Sequence, residues 1–162
     1  MKKSQVYSQI FIYILTIFVI SFILVYGYNA IASFKSRAEE ICHLKFRNEL
    51  KSAVDMIMGD FGSVKKKELE LCSDFNKVCF IESFDPEGIK NSLPLNINPI
   101  IKNNILDDTG KNIFLIGKSV QDIFTVSNIA VDPDVVCING ISGIIKLRLE
   151  GKGDHTDLSE WT

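Results

Sequence analysis

The chain has 162 residues and nearly balanced charge, with 18 Lys and Arg against 20 Asp and Glu. From Ser52 to the C-terminus, however, 11 basic residues are outnumbered by 17 acidic ones, which gives this part a net charge of −6. Such a region lacks the clustered Lys and Arg that neutralise phosphates, so nucleic acid is excluded as the expected partner. The length allows one small domain beside a membrane segment.

The N-terminal stretch Ser4–Phe34 contains no charged residue. About 20 apolar helical residues cross a hydrocarbon core of about 30 Å. Apolar residues lie all round the helix, as lipid contact requires, and Tyr7, Tyr26 and Tyr28 lie near its ends, where headgroups accommodate tyrosine rings. We therefore predict a transmembrane helix over residues 5–34, with membrane lipid as its partner. The alternative is a core helix of a soluble protein, but the remaining chain is too short to surround it.

The helix is predicted to continue beyond the membrane. No proline occurs between Asn29 and Asp60, and apolar residues recur at spacings of three and four. Gly59 and Gly62 then supply stop signals. The pattern predicts one helix from about Gln5 to about Asp60, whose second half, residues 35–62, is amphipathic.

Apolar residues alternate with a period of two after Gly62, which predicts a β-rich head domain over residues 63–162. Strands at 67–71 and 77–81 are expected to pair as a hairpin. A turn-rich segment, Ser83–Pro99, is followed by a short helix that begins at Asn98 and ends at Leu106. Further strands are predicted at residues 112–116, 123–126, 129–131, 135–138 and 145–150, with a hairpin turn at Asn139–Gly140 and a loop over 151–155. The predicted fold class is α+β, with the long N-terminal helix packed on a small antiparallel β-sheet head domain.

Four cysteines, Cys42, Cys72, Cys79 and Cys137, have spacings that match no zinc site. An even number in a membrane-tethered domain suggests disulfides if the domain faces an oxidising compartment. Cys72 and Cys79 share one face of the predicted hairpin, but their diagonal separation of about 7 to 8 Å exceeds the usual bridge. Pairing of Cys79 with Cys137, which leaves Cys42 with Cys72, is the rival. Three pairings remain open, and four free thiols in a cytoplasmic domain are a further alternative.

No catalytic, cofactor or metal site is predicted, and the chain is not expected to be an enzyme. Cys42 and His43 are helix neighbours whose side chains point about 100° apart, so they cannot form a nucleophile–base pair. The segment 151–155 lacks the spacing of a phosphate loop. Asp85-Pro86-Glu87 and Asp107-Asp108 are interpreted as solvated turns, and Lys65-Lys66-Lys67 as a solvated strand edge.

A short basic leader, Met1–Ser4, precedes Gln5 and the apolar run. This arrangement resembles the class III signal of archaeal type IV pilin-like proteins. The resemblance implies that Ser4 precedes the cleaved bond and that Gln5 becomes the first mature residue. The family usually has Glu at the fifth mature position, where this chain has Gln9. The resemblance also implies a long N-terminal helix on a β-rich head. It further implies that the chain associates with itself or with other pilin-like subunits through that helix.

The side of the membrane on which the head domain lies is indicated by two opposing signals. Five basic residues follow the span between Lys35 and Lys51 and two precede it, which favours a cytoplasmic head domain. The cysteines and the leader favour the opposite side, and we expect an extracytoplasmic head domain. The expected function is a pilin-like structural or accessory subunit of a type IV-like surface filament or secretion machine. The alternative is a single-pass anchored binding domain that does not polymerise.

Overall fold

A computed structural model describes residues 3–82, 97–118 and 120–161 of the chain. The chain divides into two compact units, Met1–Ile41 and Cys42–Thr162. Helix α1, Lys3–Met58, begins in the first unit and ends in the second. Both ends of α1 lie within two residues of the predicted ends, Gln5 and Asp60.

The described strands of the C-terminal unit form two four-stranded sheets. The first, with order β1-β7-β8-β5, contains Val64–Glu70, Ile144–Gly151, Thr156–Glu160 and Ile129–Val131. The second, with order β4-β3-β2-β6, contains Val120–Phe124, Ile113–Ile116, Lys77–Ile81 and Val135–Asn139. All the described ladders are antiparallel except β5–β8, which is parallel. The α+β prediction is confirmed, with two sheets rather than one.

One apolar core joins the second half of α1 to both sheets. Phe46, Leu50, Val54 and Ile57 recur at helical spacing on α1 and are at most 2% exposed. They pack in one cluster with the inward residues of the two sheets, including Leu147 and Phe80. The amphipathic pattern is thus explained by burial of one face of the helix segment from Cys42 to Met58.

Helix α2, Pro99–Leu106, covers the other face of the second sheet. The Asn98 side chain caps it by accepting a hydrogen bond from the Ile100 amide at 2.9 Å, and Pro99 occupies the first turn, as predicted. Ile101 and Ile105 pack there in a second cluster of buried residues.

The predicted hairpin between residues 67–71 and 77–81 is wrong. β1 pairs with β7 at the edge of the first sheet, whereas β2 pairs with β3 and β6 in the centre of the second. Leu71 and Phe75 are buried between the two strands, so this connection carries the chain from one sheet to the other instead of turning back. The register that placed Leu69 opposite Phe80 therefore does not form.

The predicted turn at Asn139–Gly140 is also misplaced. The tight turn lies at Ser142–Gly143, where both residues have positive φ, and Ile141 and Ile144 exchange backbone hydrogen bonds of 2.9 and 3.1 Å. Gly140 instead allows a close approach, since a Cβ there would lie 2.6 Å from Leu71 Cδ1.

Strand β8 lies outside the predicted strands, because its segment carries few of the β-branched and aromatic residues that indicate strands. The predicted strand at 123–126 lies earlier in the chain, as β4. Residues 83–96 of the turn-rich segment lie outside the described part of the chain. They include Asp85-Pro86-Glu87.

Candidate functional surface

The N-terminal unit presents an apolar surface on every side of α1. Every residue from Ile10 to Tyr28 except Gly27 is exposed, and residues on different faces, such as Phe11, Ile23 and Leu24, are each more than 60% exposed. Contiguous apolar surface on this scale marks contact with lipid or with other proteins. The helix is long and apolar enough to cross a membrane.

The hydroxyl groups of Thr16 and Ser21 within this surface are satisfied by the helix itself. Thr16 Oγ1 donates to the Tyr13 carbonyl, and Ser21 Oγ donates to the Ile17 carbonyl, each at 2.8 Å. Such internal hydrogen bonds remove the cost of placing a hydroxyl in lipid. The surface between Ile10 and Tyr28 is therefore chemically compatible with a hydrocarbon environment.

The residues predicted to flank a cleavage site, Ser4 and Gln5, lie in the first turns of α1. Met1 and Lys2 of the leader lie outside the described residues. Cleavage between Ser4 and Gln5 stays a prediction.

The four cysteines form two disulfides, Cys42–Cys72 and Cys79–Cys137, with Cα separations of 5.8 and 4.0 Å. Of the three pairings that the sequence left open, this one forms because Cys79 on β2 lies directly opposite Cys137 on β6. The other bridge joins α1 to the connection between β1 and β2. Each disulfide therefore links segments that are distant in sequence.

A partly buried ion cluster joins α1 to β4 and was not predicted. Asp122 is 8% exposed, and its carboxylate accepts hydrogen bonds from Arg47, one from Nε at 3.3 Å and one from Nη2. His43 Nδ1 lies 3.7 Å from Asp122 Oδ2, while the Arg47 guanidinium lies 5.0 Å from the Phe124 ring centroid. Because His43 and Arg47 are one helical turn apart, both reach the same carboxylate. The cluster fixes α1 to the second sheet.

One signal in the sequence could have revealed this cluster. Asp122 is two residues from the apolar Phe124, so both lie on the same face of a strand, and that face packs against the core. A carboxylate in that position needs a cationic partner. The partner itself could not be identified, since Arg47 is 75 residues away.

A second ion cluster lies on the surface of the first sheet. Glu150 accepts hydrogen bonds from Lys152 and Arg148 at 2.5 and 2.7 Å, and Lys152 also lies 3.3 Å from Asp157. The hydrogen bonds from Lys152 and Arg148 hold the pKa of Glu150 below its usual value. The same Glu150 contact, with a smaller contribution from Asp157, raises the pKa of Lys152.

The remaining polar segments singled out in the sequence are separated in the fold. Lys65-Lys66-Lys67 lies on the edge strand β1, and Asp107-Asp108 follows the end of α2. Within residues 3–82, 97–118 and 120–161, no group of three or more His, Cys, Asp or Glu is arranged to hold a metal ion.

Comparison with known proteins finds no match to this chain among family models, curated proteins or solved structures.

Proposed function

We propose that this protein is a membrane-anchored, pilin-like structural or accessory subunit of a type IV-like surface filament or secretion machine. The observation that carries the proposal is the uncharged helix from Ser4 to Phe34 directly behind a short basic leader. The leader resembles the class III signal of archaeal pilin-like proteins. The C-terminal unit then lies outside the cytoplasm, and the protein acts through assembly rather than through catalysis.

Assembly uses the exposed surface of α1. In the membrane this surface contacts lipid, and in a filament it packs against the same surface of neighbouring subunits. Burial stabilises the assembled state by roughly 25 cal/mol per Å² relative to water. Transfer of the same surface from lipid to a helix bundle releases less free energy, because lipid is itself apolar. Close packing between the helices supplies the remaining stabilisation.

The leader explains how the helix is released from the membrane. Lys2 and Lys3 hold the leader on the cytoplasmic side, because charged side chains are costly at membrane depth. Cleavage between Ser4 and Gln5 by a prepilin-type peptidase removes both charges. The mature helix then begins with uncharged residues and can be drawn into a filament.

The extracytoplasmic side is supported by the two disulfides. Structural disulfides persist in oxidising compartments and are rare in the cytoplasm. All four cysteines are paired, so the described chain contains no free thiol. Protease added to intact cells should therefore digest the C-terminal unit.

A second function, a single-pass anchored binding domain that does not polymerise, is favoured by one residue. Pilin-like proteins usually carry Glu at the fifth mature position, and this chain has Gln9. A plain anchor has no need of cleavage and retains Lys2 and Lys3 as a topological signal.

N-terminal mass spectrometry of the native protein distinguishes the two functions. A chain that begins at Gln5, as glutamine or pyroglutamate, supports the pilin-like subunit. Cells that lack prepilin-type peptidase serve as the matched control and should retain Lys2 and Lys3. Immunogold electron microscopy should then place the C-terminal unit on surface filaments. A chain that keeps its leader in wild-type cells and labels no filament would contradict the proposal and support the anchored binding domain.

A further inference from the structure

A cavity of about 570 Å³ lies on the outer face of the second sheet, beside α2. Its wall includes Ile97 and Ile101 from the helical side and Ile116 from β3. Its floor contains the Cys79–Cys137 disulfide. Among the described residues of this wall, Lys77 is the only charged one, and three asparagines add amide groups. The cavity therefore combines a disulfide, one cation and an apolar side.

The two sulfurs of this disulfide differ in accessibility. Cys79 lies on β2 in the centre of the sheet and is 1% exposed, whereas Cys137 lies on the edge strand β6 and is exposed. Thiol–disulfide exchange requires that a thiolate reach one sulfur of the bond, and its rate depends on that access. The fold therefore directs an external thiolate to Cys137.

Lys77 is positioned to assist the departure of Cys79. The two residues share one face of β2, with Cα atoms about 7 Å apart for residues two positions apart in a strand. Burial alone disfavours a thiolate at Cys79, and a nearby ammonium group offsets that cost. Within the described residues Lys77 takes part in no recorded ion pair, so its charge is available.

We propose that Cys137 is a site of thiol exchange and that the cavity admits a small anionic thiol. The incoming thiolate bonds to Cys137 Sγ while the Cys79–Cys137 bond breaks, and its electron pair remains on Cys79 Sγ. A second thiol then displaces Cys137, which yields the small-molecule disulfide and two reduced cysteines. The two protons released by the small thiols end on the cysteine sulfurs.

The second disulfide provides an internal control. Cys72 is 5% exposed and belongs to the main core, and Cys42 is half-buried on α1. Neither cysteine of this bridge is among the described residues that line the cavity. It should open slowly while the protein is folded, and at the same rate as Cys79–Cys137 once urea has removed the fold.

The test uses the full chain in detergent micelles and two probes of opposite charge, 2-mercaptoethanesulfonate and cysteamine. Samples are trapped with N-ethylmaleimide at timed intervals, and each disulfide is followed by peptide mass spectrometry. In the folded protein Cys79–Cys137 should open at least about 10-fold faster than Cys42–Cys72, with the mixed disulfide on Cys137. The anionic probe should react faster than the cationic one, when each rate is corrected for the thiolate fraction of the probe.

Lys77→Gln is the informative variant and Lys51→Gln, an exposed position on α1 outside the cavity, is its matched control. Lys77→Gln should slow exchange with both probes, because the Cys79 thiolate loses its nearby ammonium group, and should lower the ratio of the anionic to the cationic rate about 3-fold. Lys51→Gln should alter neither rate. Equal opening rates for the two disulfides in the folded wild-type protein, or a mixed disulfide on Cys79, would overturn the proposal.

Discussion

Asp122 is a residue of β4 that connects α1 to the second sheet through charged side chains. It is a buried carboxylate paired with Arg47 and faced by His43. Removing one partner of a buried pair costs more than the pair contributes, because the other charge loses its compensation. The Arg47 side chain is 39% exposed, however, so water recovers part of that loss.

We expect Asp122→Asn to lower the free energy of unfolding by about 1–3 kcal/mol. The measurement is urea unfolding of the full chain in micelles, followed by the fluorescence of Trp161, the single tryptophan. Asp55→Asn is the control. Asp55 is an exposed acid on α1, so its substitution should change the free energy of unfolding little. Equal effects of the two substitutions would show that the Asp122 cluster does not stabilise the fold.

Ionisation of the Glu150 carboxyl group makes the free energy of unfolding depend on pH. Its pKa is lowered in the folded protein, first by the hydrogen bond from Lys152 and then by that from Arg148. A carboxyl group with a lowered pKa stabilises the fold above its unfolded pKa, and this contribution is lost as pH falls through its folded pKa.

Glu150→Gln should therefore lower the urea midpoint at pH 7, and this effect should shrink as pH falls below the ordinary pKa of a glutamate, because the contribution of the wild-type carboxylate is lost on acidification. Glu68→Gln on the neighbouring strand β1 is the comparison, since Lys66 and Lys146 lie 3.5 and 4.0 Å from the Glu68 carboxylate, farther than Lys152 and Arg148 lie from Glu150. A difference between wild type and Glu150→Gln that stays constant from pH 7 to pH 3 would contradict this linkage.

Among the elements, the end of α1 packs closely against the end of β7. A Cβ on Gly151 would lie 2.1 Å from the Ile57 carbonyl oxygen and 2.6 Å from that of Asp60. Thr156 Oγ1 donates to the Val54 carbonyl at 3.1 Å in the same region. Backbone atoms cannot move aside as a flexible side chain can, so only glycine permits this approach.

Gly151→Ala is expected to destabilise the C-terminal unit by about 1–3 kcal/mol through overpacking. Gly59→Ala is the matched control, because a Cβ there meets nothing within 4 Å. Urea unfolding should place Gly59→Ala near wild type or slightly above it, since alanine reduces the entropy of the unfolded chain. Wild-type stability of Gly151→Ala would mean that the helix end and β7 separate readily.

For the whole molecule, the exposed apolar surface of the N-terminal unit determines where the chain resides. We expect the full chain to remain in the membrane pellet after a carbonate wash, because about 20 apolar residues anchor it. A fragment that begins at Ser36 lacks this surface and should remain in solution. Full-length chain in the carbonate supernatant would contradict membrane anchoring.

The sequence alone determined the properties that depend on local pattern. Residues 5–34 are apolar on all sides, so a membrane-compatible helix followed directly from composition. The amphipathic second half of α1, the cap at Asn98 and most strands were also predictable, because each depends on neighbours within a few positions in the chain.

Only the tertiary structure decided which strands pair and which charges meet. β1 and β2 are consecutive, yet burial of Leu71 and Phe75 sends them to different sheets, and this excludes the Cys72–Cys79 bridge. Asp122 meets Arg47 across 75 positions. The Cys79–Cys137 disulfide likewise depends on the tertiary structure, because it forms only when β6 pairs with β2. Such contacts depend on the packing of distant segments around one core, which no local pattern specifies.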